Sequence, residues 1–465
     1  MGAPIRAEEV EQAEAAYKVR LSNIGYPFAE LGARDVELDD AAATGTYLLT
    51  GDAGPLTRYG QIRLEGANLP FGQDHAELIA RFKPGERYSA LLVEDFRRAM
   101  VATQLFGALT LQPVRTGATN PDGSAVADLV VRAERGPMRA LAAQAGFSTG
   151  EGARVEAQWR HRNLFPPEGA LTLSGVLGTL EQSAGVEIRK SNWRQRDRTL
   201  AFLAQAANVN RPAFQARTLT ISGRISRDST PIWQKRWTYQ VGAELVGSDE
   251  RDRATDTGVI TGRRQFLIAA LPFQLGHDRT EDLLNPVQGF RLLARVSPEA
   301  ALQGGQFRGY ARILAEASAY RGFGPERATV VAGRIRVGTI PGVNREDLAP
   351  SRRLYAGGGG SVRGYAFQGI GPLDPNGRPL GGRSLNEGSL EVRHRFGDFG
   401  VVGFVDAGQA YEGVSPRFTD LKIGAGVGAR YYTNFGPLRV DVARALNRGP
   451  FDPKIAIYIG IGQSF

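Results

Sequence analysis

The chain has 465 residues, 42% of them hydrophobic and 23% charged, enough for two or three domains or one large barrel. Its mean hydropathy of −0.25 would suit a soluble enzyme, but no stretch approaches the roughly 18 to 20 uninterrupted apolar residues of a membrane helix, which excludes a helical membrane protein. A transmembrane β-barrel stays open, because its strands alternate lipid-facing and lumen-facing residues and average to a mildly polar sequence.

Other bulk signals bear on partners. The net charge of +9 is carried by arginines spread along the chain rather than gathered in a stripe, so nucleic acid is not expected and contacts with anionic lipid heads are. Cysteine is absent, which suits a periplasmic or outer-membrane setting. Met1-Gly2 is followed by neither a charged nor an apolar leader segment, so no signal peptide is expected, and an exported protein would be present here in mature or trimmed form.

In chain order, residues 8–24 place Val10, Ala13, Tyr17, Leu21 and Ile24 on one helical face, and Gly25-Tyr26-Pro27 ends that helix. Short strands follow near 34–38 and 46–50. A fuller βααββ unit then runs through a strand at 60–65, helices at 74–82 and from Ser89, the second opened by Ser89 as N-cap, and strands at 108–113 and 125–134. Leu92, Phe96, Ala99 and Met100 form the buried face of its second helix. The expected domains are 1–54, the back half of one such unit, 55–138, a complete unit, and 139–465.

From about residue 140 the helical period gives way to alternating segments of about ten residues. Sixteen are expected: 141–149, 151–161, 168–181, 183–191, 197–208, 214–227, 235–248, 259–275, 288–298, 305–320, 329–339, 386–396, 400–408, 421–432, 436–445 and 454–465. In the last, Ile455, Ile457, Ile459 and Ile461 share one face, and Ala456, Tyr458, Gly460 and Gly462 the other. In 421–431, Gly424, Gly426 and Gly428 lie on the inner face and leave room for something bulky. The chain closes on the aromatic Phe465.

The segment 341–386 is too long for an idle hairpin. It holds Gly360-Ser361-Val362-Arg363-Gly364-Tyr365, preceded by a glycine run that can supply unusual backbone angles. Alternation turns Glu391 inward from one following strand, and Phe404, Asp406 and Gly408 inward from the next. A guanidinium has five fixed donors and can bridge both carboxylates, so the segment is expected to fold into its own barrel with Arg363 paired to Glu391 and Asp406 and Tyr365 against the wall. No Gly-Lys-Ser/Thr follows the glycines, as a phosphate loop requires, and Arg363 occupies the final glycine position of a nucleophile elbow. His75, His161, His277 and His394 fall in unrelated segments, so no metal site, cofactor or catalytic residue is expected, and the chain reads as a non-enzyme.

The phrases Pro84-Gly85-Glu86-Arg87-Tyr88-Ser89 and Leu105-Phe106-Gly107, with the βααββ order, resemble polypeptide-transport-associated (POTRA) domains. Tyr355-Ala356-Gly357-Gly358, Ser361 to Tyr365, Gly371-Pro372, Gly381-Gly382, Ser389-Leu390-Glu391, Phe404 to Gly408, Gly424 to Arg430, Phe435-Gly436-Pro437 and Tyr458 to Gly462 resemble the superfamily that includes BamA and TamA, the TamA branch most closely. The resemblance implies a β-dominated fold, a sixteen-stranded antiparallel transmembrane β-barrel with N-terminal α+β POTRA domains, set in the bacterial outer membrane with the POTRA units in the periplasm. It implies a translocation and assembly module subunit that inserts substrate β-barrel proteins such as autotransporters, with a TamB-like periplasm-spanning partner. This chain departs in holding one whole POTRA unit and part of another, where that subunit has three. The first and last strands, near 143–149 and 455–465, are expected to pair poorly and open sideways, with Phe147, Ile459, Gly460, Gly462 and Phe465 at the seam. The competing expectation is a transport channel, either a two-partner secretion pore or a lipid-transfer conduit.

Overall fold

The computed structural model describes residues 7–39, 41, 44–148, 152–230, 234–258, 262–433 and 436–465. Met1, Gly2, Thr149, Glu151, Phe435 and residues 259–261, named above within expected segments and motifs, lie outside them.

The chain divides into two compact units, the first made of residues 1–139 with 162–169 and 191–196. It opens with helix α1 (Ala7–Asn23) and an antiparallel hairpin, β1 (Glu30–Asp39) with β2 (Thr44–Asp52). Next come β3 (Thr57–Glu65), α2 (Gln73–Ile79), α3 (Ala90–Ala102), β4 (Phe106–Thr119) and β5 (Ala125–Arg135). The sheet order is β3-β5-β4, with β3 parallel to the central β5 and β4 antiparallel to it. Central position explains β5: Leu129, Val130 and Val131 run as consecutive buried residues, where an exposed strand would alternate. Phe96 and Met100 of α3 are fully buried against Tyr59, Ile79, Phe82 and Leu105.

Ser89 stands at the N-cap of α3 in extended conformation, but its side chain makes no capping bond. Asn23 Oδ1 caps that end instead, accepting from the Leu91 N–H at 3.0 Å, and Ser89 itself is braced by the Tyr59 hydroxyl. It accepts from the Ser89 N–H at 3.0 Å and donates to the Ser89 carbonyl at 2.7 Å. Burial pushes the Tyr59 phenol up, and pushes its neighbour Tyr88 up to about 12.

The second unit is one antiparallel sheet of barrel form. Its strands are β6 (Arg139–Ser148), β7 (Gly152–His161), β8 (Gly169–Gly178), β9 (Glu181–Lys190), β10 (Thr199–Asn210), β11 (Phe214–Arg227), β12 (Trp237–Asp252), β13 (Arg264–Ala270), β14 (Phe273–Asp278), β15 (Gly289–Gln303) and β16 (Gln306–Phe323). They continue as β17 (Thr329–Thr339), β18 (Ser384–Phe396), β19 (Phe399–Tyr411), β20 (Lys422–Thr433), β21 (Gly436–Ala445) and β22 (Ala456–Ile461). Neighbours follow sequence order, and β22 is succeeded by β6. The expected single strand 259–275 is two pieces: β13 and β14 both pair with β12 on one side and β15 on the other, interrupted at Leu271-Pro272. Proline cannot donate to the ladder, so the break falls where the sequence removes a donor.

Polarity in this unit runs outside in. Leu177, Leu219, Ile335, Leu390, Val427 and Ile459 are more than half exposed on the outer face, while Glu391, Asp406, Arg430 and Asp441 are at most 2% exposed on the inner one. No helix among the described residues is long and apolar enough to cross a membrane, and the apolar surface belongs to strands.

The connection between β17 and β18, residues 340–383, fills the interior. Ile340, Leu348, Ala349, Val362, Tyr365 and Ile370 from this loop pack with Phe266, Ile268, Tyr310 and Ala410 of the strands as one buried cluster. The C-terminal residues depart from expectation. β22 ends at Ile461, and Gly462 at φ +90° donates its N–H to the Pro437 carbonyl at 2.7 Å. Phe465 therefore does not finish a strand. Its ring lies 6.3 Å from that of Tyr320 and near the guanidiniums of Arg334 and Arg393, and its carbonyl accepts from Arg393 at 3.2 Å. Left-handed backbone at Gly462 turns the chain away from the alternation that would have continued through Phe465.

Candidate functional site

The site is the interior arginine at the centre of the loop. Arg363 is 1% exposed, and a buried guanidinium persists only when its donors and charge are matched. Asp406, from β19, takes most of it: Nε donates at 2.6 Å, Nη2 at 2.8 Å and the Arg363 backbone N–H at 3.0 Å. Ser389 on β18, directly opposite Asp406, adds a fourth bond to the carboxylate at 2.5 Å.

Glu391 and Asp441 complete the cage. Arg363 Nη1 lies 2.7 Å from Glu391 Oε1, but that oxygen receives no aligned N–H, so the contact is Coulombic rather than a directed hydrogen bond. Arg393 holds the other oxygen of Glu391 at 2.8 Å. Asp441 of β21 accepts from Arg363 at 3.3 Å and from Arg430 at 2.5 Å. The Arg363 guanidinium carbon sits 3.4 Å from the centroid of Phe404, which covers its face. Arg363, Arg393 and Arg430 thus make the direct contacts to Glu391, Asp406 and Asp441.

The flanking motif residues are explained by close approach. Ser361 accepts from the Gly357 N–H at 2.8 Å and donates to Glu387. Val362 packs on Gly408, where a Cβ would come within 2.9 Å of its methyl. Gly364, at φ +98°, lies against the backbone of Arg444 and Ala445, with 2.7 Å left for any Cβ. Its N–H donates to the Tyr458 hydroxyl at 3.1 Å, and that hydroxyl donates to the Tyr365 carbonyl at 3.2 Å. The Tyr365 hydroxyl reaches the Ile423 carbonyl at 3.1 Å and Asn447 Oδ1 at 2.6 Å. Gly360 has open space where a side chain would stand.

The inner glycines of β20 receive this assembly. A Cβ at Gly424 would collide with the Arg363 carbonyl, one at Gly426 would meet the Phe404 ring at 2.5 Å, and one at Gly428 would collide with the Asp441 carboxylate. Asp441, Arg393, Arg430, Ser389 and Tyr458 are members that sequence reading left unassigned. Alternation with Leu438, Val440 and Val442 turned Asp441 inward, which was the available signal.

Four of the five residues expected at the seam lie on or at the end of β6 and β22, which are neighbours in the sheet. Phe147 lies on β6, Ile459 points outward from β22, Gly460 pairs with Arg439, Gly462 ends the strand, and Phe465 lies by β16 to β18. Of these, Phe465 touches the cage, at Arg393.

Residues 149–465 match the Omp85 superfamily domain. The chain belongs to the Omp85 superfamily. Among curated proteins it is 26% identical over 335 residues to the outer membrane protein assembly factor BamA of Nitratidesulfovibrio vulgaris, covering 69% of this chain and 41% of that protein. It spans about two fifths of that relative's length. Among solved structures, Haemophilus ducreyi BamA lacking POTRA domains 1–3 aligns with TM-score 0.76 at 17% identity, over 99% of this chain and 94% of the other. CdiB from Acinetobacter baumannii aligns with TM-score 0.53 at 14% identity, over 100% and 83%. These two likenesses bear on the fold alone.

Proposed function

We propose that this chain is the barrel subunit of an outer-membrane protein assembly factor, which inserts substrate β-barrel proteins by templating their strands at the junction of β22 and β6. One observation carries the reading: β22 has six residues and β6 has ten. A six-residue strand cannot satisfy all ten positions of its neighbour, and unmatched N–H and C=O groups recruit an incoming strand. The apolar outer face of the barrel supports a lipid setting, where such groups have no water to turn to. No covalent chemistry or cofactor is required.

The finer reading is a sixteen-stranded transmembrane barrel, counting β13 and β14 as one interrupted strand, with the βααββ unit as a periplasmic POTRA domain. It extends to the translocation and assembly module, autotransporter substrates and a TamB-like partner, on the motifs between residues 354 and 462. The competing reading is a transport channel, and the packing of residues 340–383 inside the barrel argues against free conduction. The test is to reconstitute the protein in liposomes, time the folding of an unfolded substrate barrel, and lock β6 to β22 with an engineered disulfide. Acceleration that disappears on cross-linking and returns on reduction is expected. Full acceleration by a fully cross-linked protein would exclude templating at this junction, and high ion conductance without acceleration would favour the channel.

A further inference from the structure

The outer face of the barrel is grooved across β10 to β13, and strand register shows what lines the groove. Side chains alternate, so outward residues form rows across neighbouring strands. One row is polar: Asn208, Arg217, Asp249 and Gln265 stand opposite one another on β10, β11, β12 and β13. Two residues along each strand the next row is apolar, with the small Ala206 and Gly247 alternating with the exposed Leu219 and Leu267. Both rows line one groove of about 1080 Å³. A second, of about 940 Å³, follows along the same strands over Ala204, Ile221, Leu245 and Ala269 and reaches Gly223.

Two features of this groove are not explained by the chain itself. Gly247 has no left-handed φ, and a Cβ there would meet nothing within 4 Å, so neither backbone nor internal packing requires glycine. Arg217 is exposed and has no carboxylate partner among the described residues, and the carboxylate opposite it, Asp249, is held by Arg263 at 2.7 Å. A cation at one end of an apolar groove fits a ligand with an anionic head and a hydrocarbon chain. Length agrees. At about 3.4 Å per residue, Arg217 to Gly223 spans about 20 Å along β11, or about 14 Å of depth at a tilt of about 45°, against about 15 Å for one leaflet of a hydrocarbon core about 30 Å thick.

We infer that this groove binds a phosphate-bearing lipid, its phosphate on Arg217 and one acyl chain over Ala206, Gly247 and Ala269. The guanidinium fork suits phosphate oxygens, and the small side chains leave the chain its bed between Leu219 and Leu267. The inference rests on the membrane reading given above and is independent of templating at β22 and β6.

The test is native mass spectrometry of the folded full chain, released from neutral-detergent micelles titrated with phosphatidylglycerol, with folding checked by heat-modifiable gel mobility. One saturable lipid adduct is expected, which diacylglycerol, lacking the phosphate, does not displace. Arg217→Gln is expected to weaken it about fivefold, the contribution of one basic side chain to an anionic lipid surface. Ala206→Leu/Gly247→Leu keeps every charge, fills the groove and is expected to weaken binding at least about tenfold, the equivalent of two displaced methylenes. Val427→Leu, on the outer face of β20, should leave it unchanged. Equal binding by Arg217→Gln or by the filled variant, displacement by diacylglycerol, or no saturable adduct on folded wild type overturns the inference. So does a dimer that filling the groove dissociates, which would make a second copy of this chain the occupant. A chain that folds and stays monomeric without detergent or lipid would overturn the membrane reading itself, and this inference with it.

Discussion

Arg363→Ala removes both side-chain bonds to Asp406, at 2.6 and 2.8 Å, and the cover over Phe404. The three carboxylates do not suffer equally. Glu391 keeps Arg393 and Asp441 keeps Arg430, whereas Asp406 keeps only Ser389 and a backbone N–H, with no counter-charge. Orphaning one buried carboxylate costs about 3–5 kcal/mol. Each 1.4 kcal/mol is tenfold in an equilibrium, so the undocked population of the loop should rise by roughly two to three and a half orders of magnitude. The barrel ladder is untouched, and the loop should open first. The assay is limited proteolysis of the folded protein in micelles, with cuts within 340–383 mapped by mass spectrometry. Asp406→Ala should accelerate cleavage more than Glu391→Ala. Arg363→Ala/Asp406→Ala should be less labile than Arg363→Ala alone, because no charge is left unpaired. Cleavage of Arg363→Ala at the wild-type rate, or Glu391→Ala exceeding Asp406→Ala, would refute the reasoning.

Gly424→Val should expel the loop as Arg363→Ala does while leaving every charge in place, because its side chain would occupy the Arg363 carbonyl position; the same proteolysis reads it. Gly364→Ala combines a left-handed backbone with a 2.7 Å approach to Arg444 and should lower the unfolding midpoint by an amount equivalent to about 1–3 kcal/mol. Tyr59→Phe loses both bonds to Ser89 and should destabilise the first unit by about 1 kcal/mol, visible as faster amide exchange at the start of α3. Tyr88 is raised from 10.0 to about 12 by burial, so its contribution to stability is complete below pH 10 and is lost as pH rises toward 12. An absorbance titration at 295 nm should show a step there that Tyr88→Phe removes.

The pairing of Arg363 with Asp406 could be read from the sequence because strand alternation is local. Phe404, Asp406 and Gly408 must share a face whatever the barrel's size. Alternation also turned Arg430 and Asp441 inward, but it carries no information about height along the lumen. That height depends on the stagger of β20 against β21, which sets Gly428 opposite Asp441. The fate of Phe465 was illegible for another reason. Gly460 and Gly462 look alike in the pattern, yet only the second takes a left-handed φ and ends the strand. The break at Pro272 was visible as a residue and overlooked because the apolar period resumes on both sides. At Ser89 the local capping signal was real, but Asn23, distant in sequence, caps the Leu91 N–H instead.

The burial of the Arg363–Asp406 pair has a consequence for salt. Mobile ions screen charges by entering the space between them, over a length of about 10 Å at 0.1 M and 3 Å at 1 M. Arg363 and Asp406 are each 1% exposed and touch at 2.6 Å, which leaves mobile ions no space between them. The fastening of the loop is thus insulated from ionic strength, and brine and dilute buffer should find it equally closed.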